Sequence, residues 1–279
     1  MCAAELPPRL YVDGHNLLHR AAFGFPARIT SRSGRDITLV FGFFALIRAG
    51  ARSLEAPPEV IVVFDGQEGT ADRRALLPCY KPPVAGDEEV FADLPRIREG
   101  LTLLGIGWLE NTQWEADDVI DSLIAAHPAR DHLIMSTDKD FYQLLSPRVS
   151  VLNTQRRVDR RRICPGEVYD KHGVWPPQWC DYRALTGDKS DNIPGIRGIG
   201  NKTAARLLAG GAHLEDLDKL NRLTGRIGHL IRHQWDQLML WRTLIQLRTN
   251  VPLPTTIETH QPSRLPSAPD IIGALDLWK

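Results

Sequence analysis

Val60-Ile61-Val62-Val63-Phe64-Asp65-Gly66 is an apolar run that stops at an acid and a glycine. An unbroken run of this kind, without polar alternation, suits a strand buried on both faces of a parallel sheet. Arg9-Leu10-Tyr11-Val12-Asp13-Gly14 upstream and His132-Leu133-Ile134-Met135-Ser136-Thr137-Asp138 downstream repeat the design. Helical patterns lie between them, at roughly 38–54, 93–104 and 115–126, so the order alternates as βαβ. In open α/β sheets the site lies outside the carboxyl ends of the strands. Three strands therefore deliver Asp13, Asp65 and Asp138 to one edge. One such aspartate is readily a cap or turn residue; three at three strand ends are not.

More carboxylates follow. Trp114-Glu115-Ala116-Asp117-Asp118-Val119-Ile120-Asp121 places Glu115, Asp117 and Asp118 together at a helix start. The macrodipole favours acids there, but each carboxylate also raises its neighbour's pKa, a cost that a bound cation removes. Asp138-Lys139-Asp140 adds Asp140, and the loop Thr186-Gly187-Asp188-Lys189-Ser190-Asp191-Asn192-Ile193-Pro194-Gly195 adds Asp188 and Asp191, where an Asx-turn cap is the plainer reading. The set offers oxygen ligands only, with no histidine or cysteine at matching spacing. That selects hard divalent cations, Mg²⁺ or Mn²⁺, and nine carboxylates suit two or more. Two ions about 4 Å apart stabilise the entering and leaving oxygens of an in-line phosphoryl displacement, so phosphodiester hydrolysis is the chemistry expected.

The 279 residues, 43% hydrophobic and 24% charged, have an ordinary soluble balance and can bury one large core or two modest ones. No stretch is long and apolar enough to span a bilayer, and Met1–Pro8 has no signal-peptide pattern. Cys2, Cys79, Cys164 and Cys180 are scattered, which reads as reduced thiols in a cytoplasmic protein. The zero net charge hides segregation. Arg73, Arg74 and Lys81 sit in a polar insertion, and Gln155–Arg162 holds five arginines in eight residues. Such a run is either a solvated hairpin or a phosphate contact. Farther on, helical patterns at about 177–186 and 201–209 flank Gly195-Ile196-Arg197-Gly198-Ile199-Gly200-Asn201-Lys202-Thr203-Ala204, a hairpin whose glycines permit tight turns. Amides at the second helix, with Lys202 and Arg206, would grip a phosphate without reading bases.

Taken in order, Val12-Asp13-Gly14, Val63-Phe64-Asp65, Tyr80-Lys81, Glu115-Ala116-Asp117-Asp118, Thr137-Asp138-Lys139-Asp140, Asp181–Asp188, Ser190–Gly195 and Gly198–Ala204 resemble the 5′-nuclease domain of bacterial DNA polymerase I and its stand-alone flap-endonuclease relatives. The resemblance runs from about Leu10 to about Pro254. It implies a PIN-like α/β nuclease core with a central mostly parallel sheet and a helical arch, then an α-helical helix–hairpin–helix DNA-binding domain. The corresponding boundaries are 1–174, with the arch at about 68–92, then 175–255, and a Pro-rich tail at 256–279.

The same resemblance implies that Asp13, Asp65, Glu115, Asp117, Asp118 and Asp138 serve one metal, some from an outer shell, and that Asp138, Asp140, Asp188 and Asp191 serve the second. It assigns Arg73 and Lys81 to the scissile phosphate, and Gly195, Gly198, Gly200, Lys202, Thr203 and Arg206 to duplex DNA, with K⁺ as a candidate at the hairpin. One departure is Val84, where the family usually has an arginine, in the stiff segment Pro82-Pro83-Val84-Ala85-Gly86. The implied protein is a cytoplasmic, nucleoid-associated monomer acting on 5′ flaps, nicks and primed 5′ ends in replication and repair. The apolar end of the tail, Ile271 to Trp278, is expected to pack on the body, with docking of a replication or repair partner as the alternative. Two rival readings are a junction-binding protein with decayed chemistry and an RNase of the wider PIN class.

Overall fold

The computed structural model describes residues 6–24, 27–83, 86–254 and 259–279, so Cys2, Val84 and Ala85 lie outside the described residues. Among these residues six strands form one sheet: β1 (Arg9–Asp13), β2 (Glu59–Phe64), β3 (Gly107–Glu110), β4 (His132–Met135), β5 (Val149–Leu152) and β6 (Arg162–Ile163). Their spatial order is β3-β2-β1-β4-β5-β6. All neighbours run parallel except the β5–β6 pair. The chain order reverses at β1, which lies between β2 and β4; such a switch point opens a crevice at the carboxyl ends of the strands.

Alternation along the three central strands divides the interior in two. Tyr11, Ile61, Val63 and Ile134 belong to one core. Leu10, Val12, Val60, Val62, Phe64, Leu133 and Met135 belong to the other. This is the period of two that a pleated strand imposes, and because both faces are covered, the strands are apolar beyond their first residues, Arg9, Glu59 and His132.

Among the described residues twelve α-helices cover the faces: α1 (Gly14–Gly24), α2 (Thr38–Arg52), α3 (Ala71–Leu76), α4 (Asp87–Phe91), α5 (Leu94–Leu103), α6 (Ala116–Ala125), α7 (Pro165–His172), α8 (Trp179–Thr186), α9 (Asn201–Leu207), α10 (Gly225–His233), α11 (Trp235–Ile245) and α12 (Ala268–Ala274). The first core is sealed by α6 and by buried residues of α7 to α11. The second is sealed by α1, α2, α5 and α12. Phe43 and Phe44 of α2 are core residues.

The expected arch is met, among the described residues, by only two short helices, α3 and α4. Proline explains the break. Leu77, which caps α3, is extended at φ −138° and ψ 94°, as a residue preceding a proline prefers, and Pro82 and Pro83 follow. The tail returns to the body: α12 packs on α2, burying Ile271, Ile272 and Leu277. On the way the Ser263 hydroxyl accepts from the Val60 amide at 2.9 Å, and Arg48 donates to the Leu265 carbonyl at 3.1 Å. The apolar side chains that a docking partner would have used are turned inward.

Candidate metal centre and nucleic-acid interface

Each strand-end aspartate is oriented by its neighbours. Asp13 accepts from the Asn16 amide (3.1 Å) and from the Ser136 hydroxyl (2.8 Å). Asp65 accepts from the Ala116 amide at 2.7 Å, tying β2 to the start of α6. Asp138 accepts from the Asp140 amide at 2.9 Å while its own amide donates to Ser136 at 3.0 Å. His15 and Asn16, just after Asp13, act as supports: the Asp65 amide donates to His15 Nδ1 at 2.9 Å, and Asn16 bridges to Thr137. After Asp65 the chain must pass very close to its neighbour, since a Cβ on Gly66 would lie 1.8 Å from the Asn111 carbonyl oxygen.

A cleft of about 410 Å³ is lined by Asp13, Asp65, Glu115, Asp117, Asp138 and Lys81. A neighbouring cleft of about 830 Å³, sharing Asp138, is lined by Asp188, Arg183, Lys139 and Asn201. Two triads could each hold an ion, with ligand atoms within 4.8 Å of one another: Glu115, Asp117 and Asp118, and Asp140, Asp188 and Asp191. Burial, then the charges of Asp65 and Asp138, raises the Asp13 carboxyl to about 7 despite its two hydrogen bonds. Asp117 and Asp140 are pushed well above the usual carboxylate range, and Asp191 upward too, each chiefly by burial and then by neighbouring acids. One Asp140 oxygen is buried without a hydrogen-bond partner. Buried, mutually repelling oxygens with an unmatched acceptor suit a hard divalent cation.

Two expected site residues have other work. Arg73 is 3% exposed and forks onto both oxygens of Asp118 (2.7 and 2.8 Å). It also pairs with Glu115 and donates to the Leu244 carbonyl at 3.0 Å. Asp118, fully buried, further accepts from the Arg248 amide at 2.9 Å. Arg73 is therefore a buried clamp between the sheet edge and the end of α11, with no donor to spare for a scissile phosphate. The reason is tertiary: α11 closes over this arginine. Asp118 is thus both the clamp's counter-charge and a member of the triad with Glu115 and Asp117.

Lys81 is 31% exposed. Its ammonium donates to Glu115 and lies 3.9 Å from Asp191. Burial alone would push the ammonium down, but Glu115, with Tyr80, Asp117 and Asp191, holds it well above its ordinary range. Its backbone has φ +39°, a conformation that costs a non-glycine residue on the order of 1 kcal/mol and clusters at functional sites. The neighbours enforce it. Arg74 donates to the Tyr80 and Lys81 carbonyls (3.1 and 2.5 Å), and Asn192 donates to the Cys79 carbonyl at 2.9 Å.

Residue roles that reading the sequence missed include Arg183, which pairs with Asp188 and lies 3.7 Å from Asp140. Ser190, which bonds Asp188 through its amide at 2.9 Å, is another. Arg183 stands five residues before Asp188, about one helical turn plus the bend, and that spacing was the available signal. Of the expected duplex-binding group, Lys202 and Arg206 are exposed on α9, with Thr203 half-buried between them. Gly195 and Gly198 take φ +67° and +90°, and Gly200 caps α9.

Two family models match the chain in succession. Residues 8–173 match the 5′-3′ exonuclease N-terminal resolvase-like domain, and residues 174–267 match the 5′-3′ exonuclease C-terminal SAM fold. This chain belongs to the 5′-3′ exonuclease family. Its family relatives include the thermostable DNA polymerase I of Thermus aquaticus, 41% identical over 252 residues, covering 88% of this chain and 29% of that protein. The DNA polymerase I of Mycobacterium bovis is 34% identical over 259 residues, covering 91% and 28%. The chain thus spans less than a third of the curated relatives it matches.

Among solved structures, the family fold recurs in the bacteriophage T5 flap endonuclease in complex with DNA and metal ions (TM-score 0.70, 22% identity, 97% of this chain and 95% of that one). It recurs in the catalytic core of Rad2 in complex with DNA substrate (TM-score 0.60, 14% identity, 97% and 87%).

Proposed function

We propose that this exonuclease-family chain is a metal-dependent 5′ nuclease that hydrolyses DNA phosphodiesters near single-strand/duplex junctions, as a 5′-3′ exonuclease and flap endonuclease. One observation carries the reading. Acids from β1, β2, α6, the β4 exit and the 186–195 loop converge on two adjoining clefts, with Lys81 and Arg183 interleaved. Asp13, Asp65, Glu115, Asp117 and Asp138 would hold one divalent cation, Mg²⁺ or Mn²⁺. Asp138, Asp140, Asp188 and Asp191 would hold a second. When bound, such ions lower the pKa of water and neutralise charge on a phosphoryl group.

The chain's own contribution is preorganisation. Ser136 and Asn16 fix the Asp13 oxygens, Ala116 fixes Asp65, and Arg74 fixes the Lys81 backbone. The Lys81 ammonium, partly open to the cleft, is the group placed to stabilise charge developing on a phosphate. Lys202 and Arg206 of α9, beside the larger cleft, would hold the duplex by its backbone, so recognition would follow shape and charge. The Gly195–Gly200 turn would be the place for K⁺. The work so described is flap and primer removal in replication and repair, by a monomer in the nucleoid-containing cytoplasm.

The test is cleavage of a 5′-labelled double-flap DNA with Mn²⁺, with Mg²⁺ and with EDTA, using the wild type and Asp138→Ala. A metal-dependent short product from the wild type alone supports the reading. Cleavage by Asp138→Ala would show the metal assignment to be wrong. A retained gel shift without any product would favour a junction-binding protein instead.

A further inference from the structure

The insertion that carries Lys81 returns to the body through α4, and that return limb ends at the cleft. Phe91, the last residue of α4, meets His15 edge-on with ring centroids 4.9 Å apart, and His19 at 5.7 Å. His15 lines the cleft with Asp13 and Asp65 and accepts from the Asp65 amide. The seat of Phe91 therefore bears on the backbone of a strand-end aspartate. Two residues on, Asp93 precedes α5 and accepts from Arg96 at 2.7 Å and from Arg35 at 3.1 Å.

Arg35 belongs to the turn between α1 and α2, which is folded on itself. The Ser31 amide donates to the Arg35 carbonyl (2.8 Å), the Arg35 amide to the Ser31 hydroxyl (3.1 Å) and the Gly34 amide to the Ser31 carbonyl (3.0 Å). The end of the tail closes this turn from outside. The Arg32 amide donates to the Trp278 carbonyl at 3.0 Å, and the Ser33 hydroxyl to the Lys279 carbonyl at 2.7 Å. Trp278 is held to the start of α12 by its indole N–H, which donates to the Pro269 carbonyl at 3.1 Å. The tail also reaches α5. A Cβ on Gly100 would lie 2.6 Å from the Phe44 ring and 3.3 Å from a Leu275 methyl, so α12 sits where α5 crosses α2. Hydrogen bonds and packed rings in unbroken contact are the physical carriers of coupling between distant parts of a fold.

We propose that the tail is a brace for the insertion: Trp278 and Lys279 hold the 29–37 turn so that Arg35 latches Asp93, and the latch seats Phe91 on His15 at the cleft. Arg35 and Trp278 are positioning residues, acting on the site only through that seat. The latch is a partly exposed ion pair (Arg35 40%, Asp93 21%), which adds little to global stability. What it sets is the local balance between a seated and a lifted return limb.

The test is amide hydrogen exchange on the full chain without DNA, read by mass spectrometry of its peptides. Arg35→Gln should speed exchange across residues 86–93 roughly two- to fivefold, the range that one exposed ion pair allows. Peptides of β1, β2 and α6 should not change. Trp278→Ala should speed exchange at 86–93 as well, and the double variant should match the larger single effect, because both act along one route. Arg35→Lys, which keeps the charge, should restore wild-type exchange. Unchanged exchange at 86–93 in either single variant, additive effects in the double, or faster exchange throughout the chain would each overturn the inference. A second arm rests on the nuclease reading: on double-flap DNA, Arg35→Gln should lower the single-turnover rate and leave the Kd alone. An unchanged rate beside faster exchange would overturn the claim that the seat serves the cleft. A wild type that does not cleave would overturn the nuclease reading and leave exchange to judge the brace.

Discussion

The contrast between Arg73 and Lys81 shows what side-chain surroundings decide at a carboxylate edge. Both are cations in one insertion, and spacing treats them alike. Arg73 is sealed between Asp118, Glu115 and the end of α11, so Arg73→Ala leaves buried Asp118 without its counter-charge and Glu115 with Lys81 alone. Breaking a buried pair in this way costs about 3–5 kcal/mol, visible as a loss of chemical-denaturation midpoint. Lys81 is partly exposed, and its partner Glu115 keeps Arg73. Lys81→Ala is therefore expected to unfold near the wild-type midpoint while losing roughly 10²–10³ in kcat, the usual cost of one preorganised charge donor. Equal destabilisation of the two variants would remove the distinction drawn between clamp and cleft residue. The sequence could name both residues but not separate them, because the separating contacts span more than forty residues and depend on where α11 lands.

Elements were legible where their signal was periodic or uninterrupted. The apolar runs ending in Asp13 and Asp65 became β1 and β2, and the patterns at 38–54, 93–104 and 115–126 became α2, α5 and α6. Strands β3, β5 and β6 escaped because they are two to four residues long and, unlike the equally short β4, hold no run of three apolar residues. The 195–200 hairpin was legible for a different reason: glycine is required there. Gly195 has φ +67°, and a Cβ would lie 2.4 Å from the Gly187 amide nitrogen. Gly195→Ala is expected to distort the approach to α9 and weaken duplex binding at least tenfold in a gel-shift titration. Far-UV circular dichroism should stay close to that of the wild type. Unchanged affinity would mean that this turn does not set the DNA contact.

Across the whole molecule, the end of the sheet opposite the acids is closed by charge. Arg9 and Arg130 meet Glu59 at 3.2 and 2.7 Å, all three buried. The amides of Thr259 and His260, in the returning tail, donate to Glu59 at 2.7 and 2.9 Å. Burial would raise the Glu59 carboxyl, but those amides, then Arg130 and Arg9, bring it down to about 2 from an ordinary 4.5. A carboxyl depressed on folding stabilises above its unfolded pKa and loses that stabilisation as pH falls through the folded one. The stability gap between wild type and Glu59→Gln should therefore be about 3 kcal/mol at pH 7 and shrink between pH 4.5 and 2. Urea unfolding at pH 7, 4 and 3 measures it, and a gap that does not change with pH would disprove the assignment.

None of this cluster was foreseen, since a lone arginine opening an apolar run carries no sign of its partner. The tail contacts also set an order of events in synthesis. Residues 48 and 265 meet across 217 positions, and the second core stays open until α12 leaves the ribosome. At ordinary elongation rates that is on the order of ten seconds after the last strand is made. Until α12 docks, the apolar side chains of α2 that it covers stay open, so the nascent chain is most exposed to chaperones and to self-association before the tail arrives.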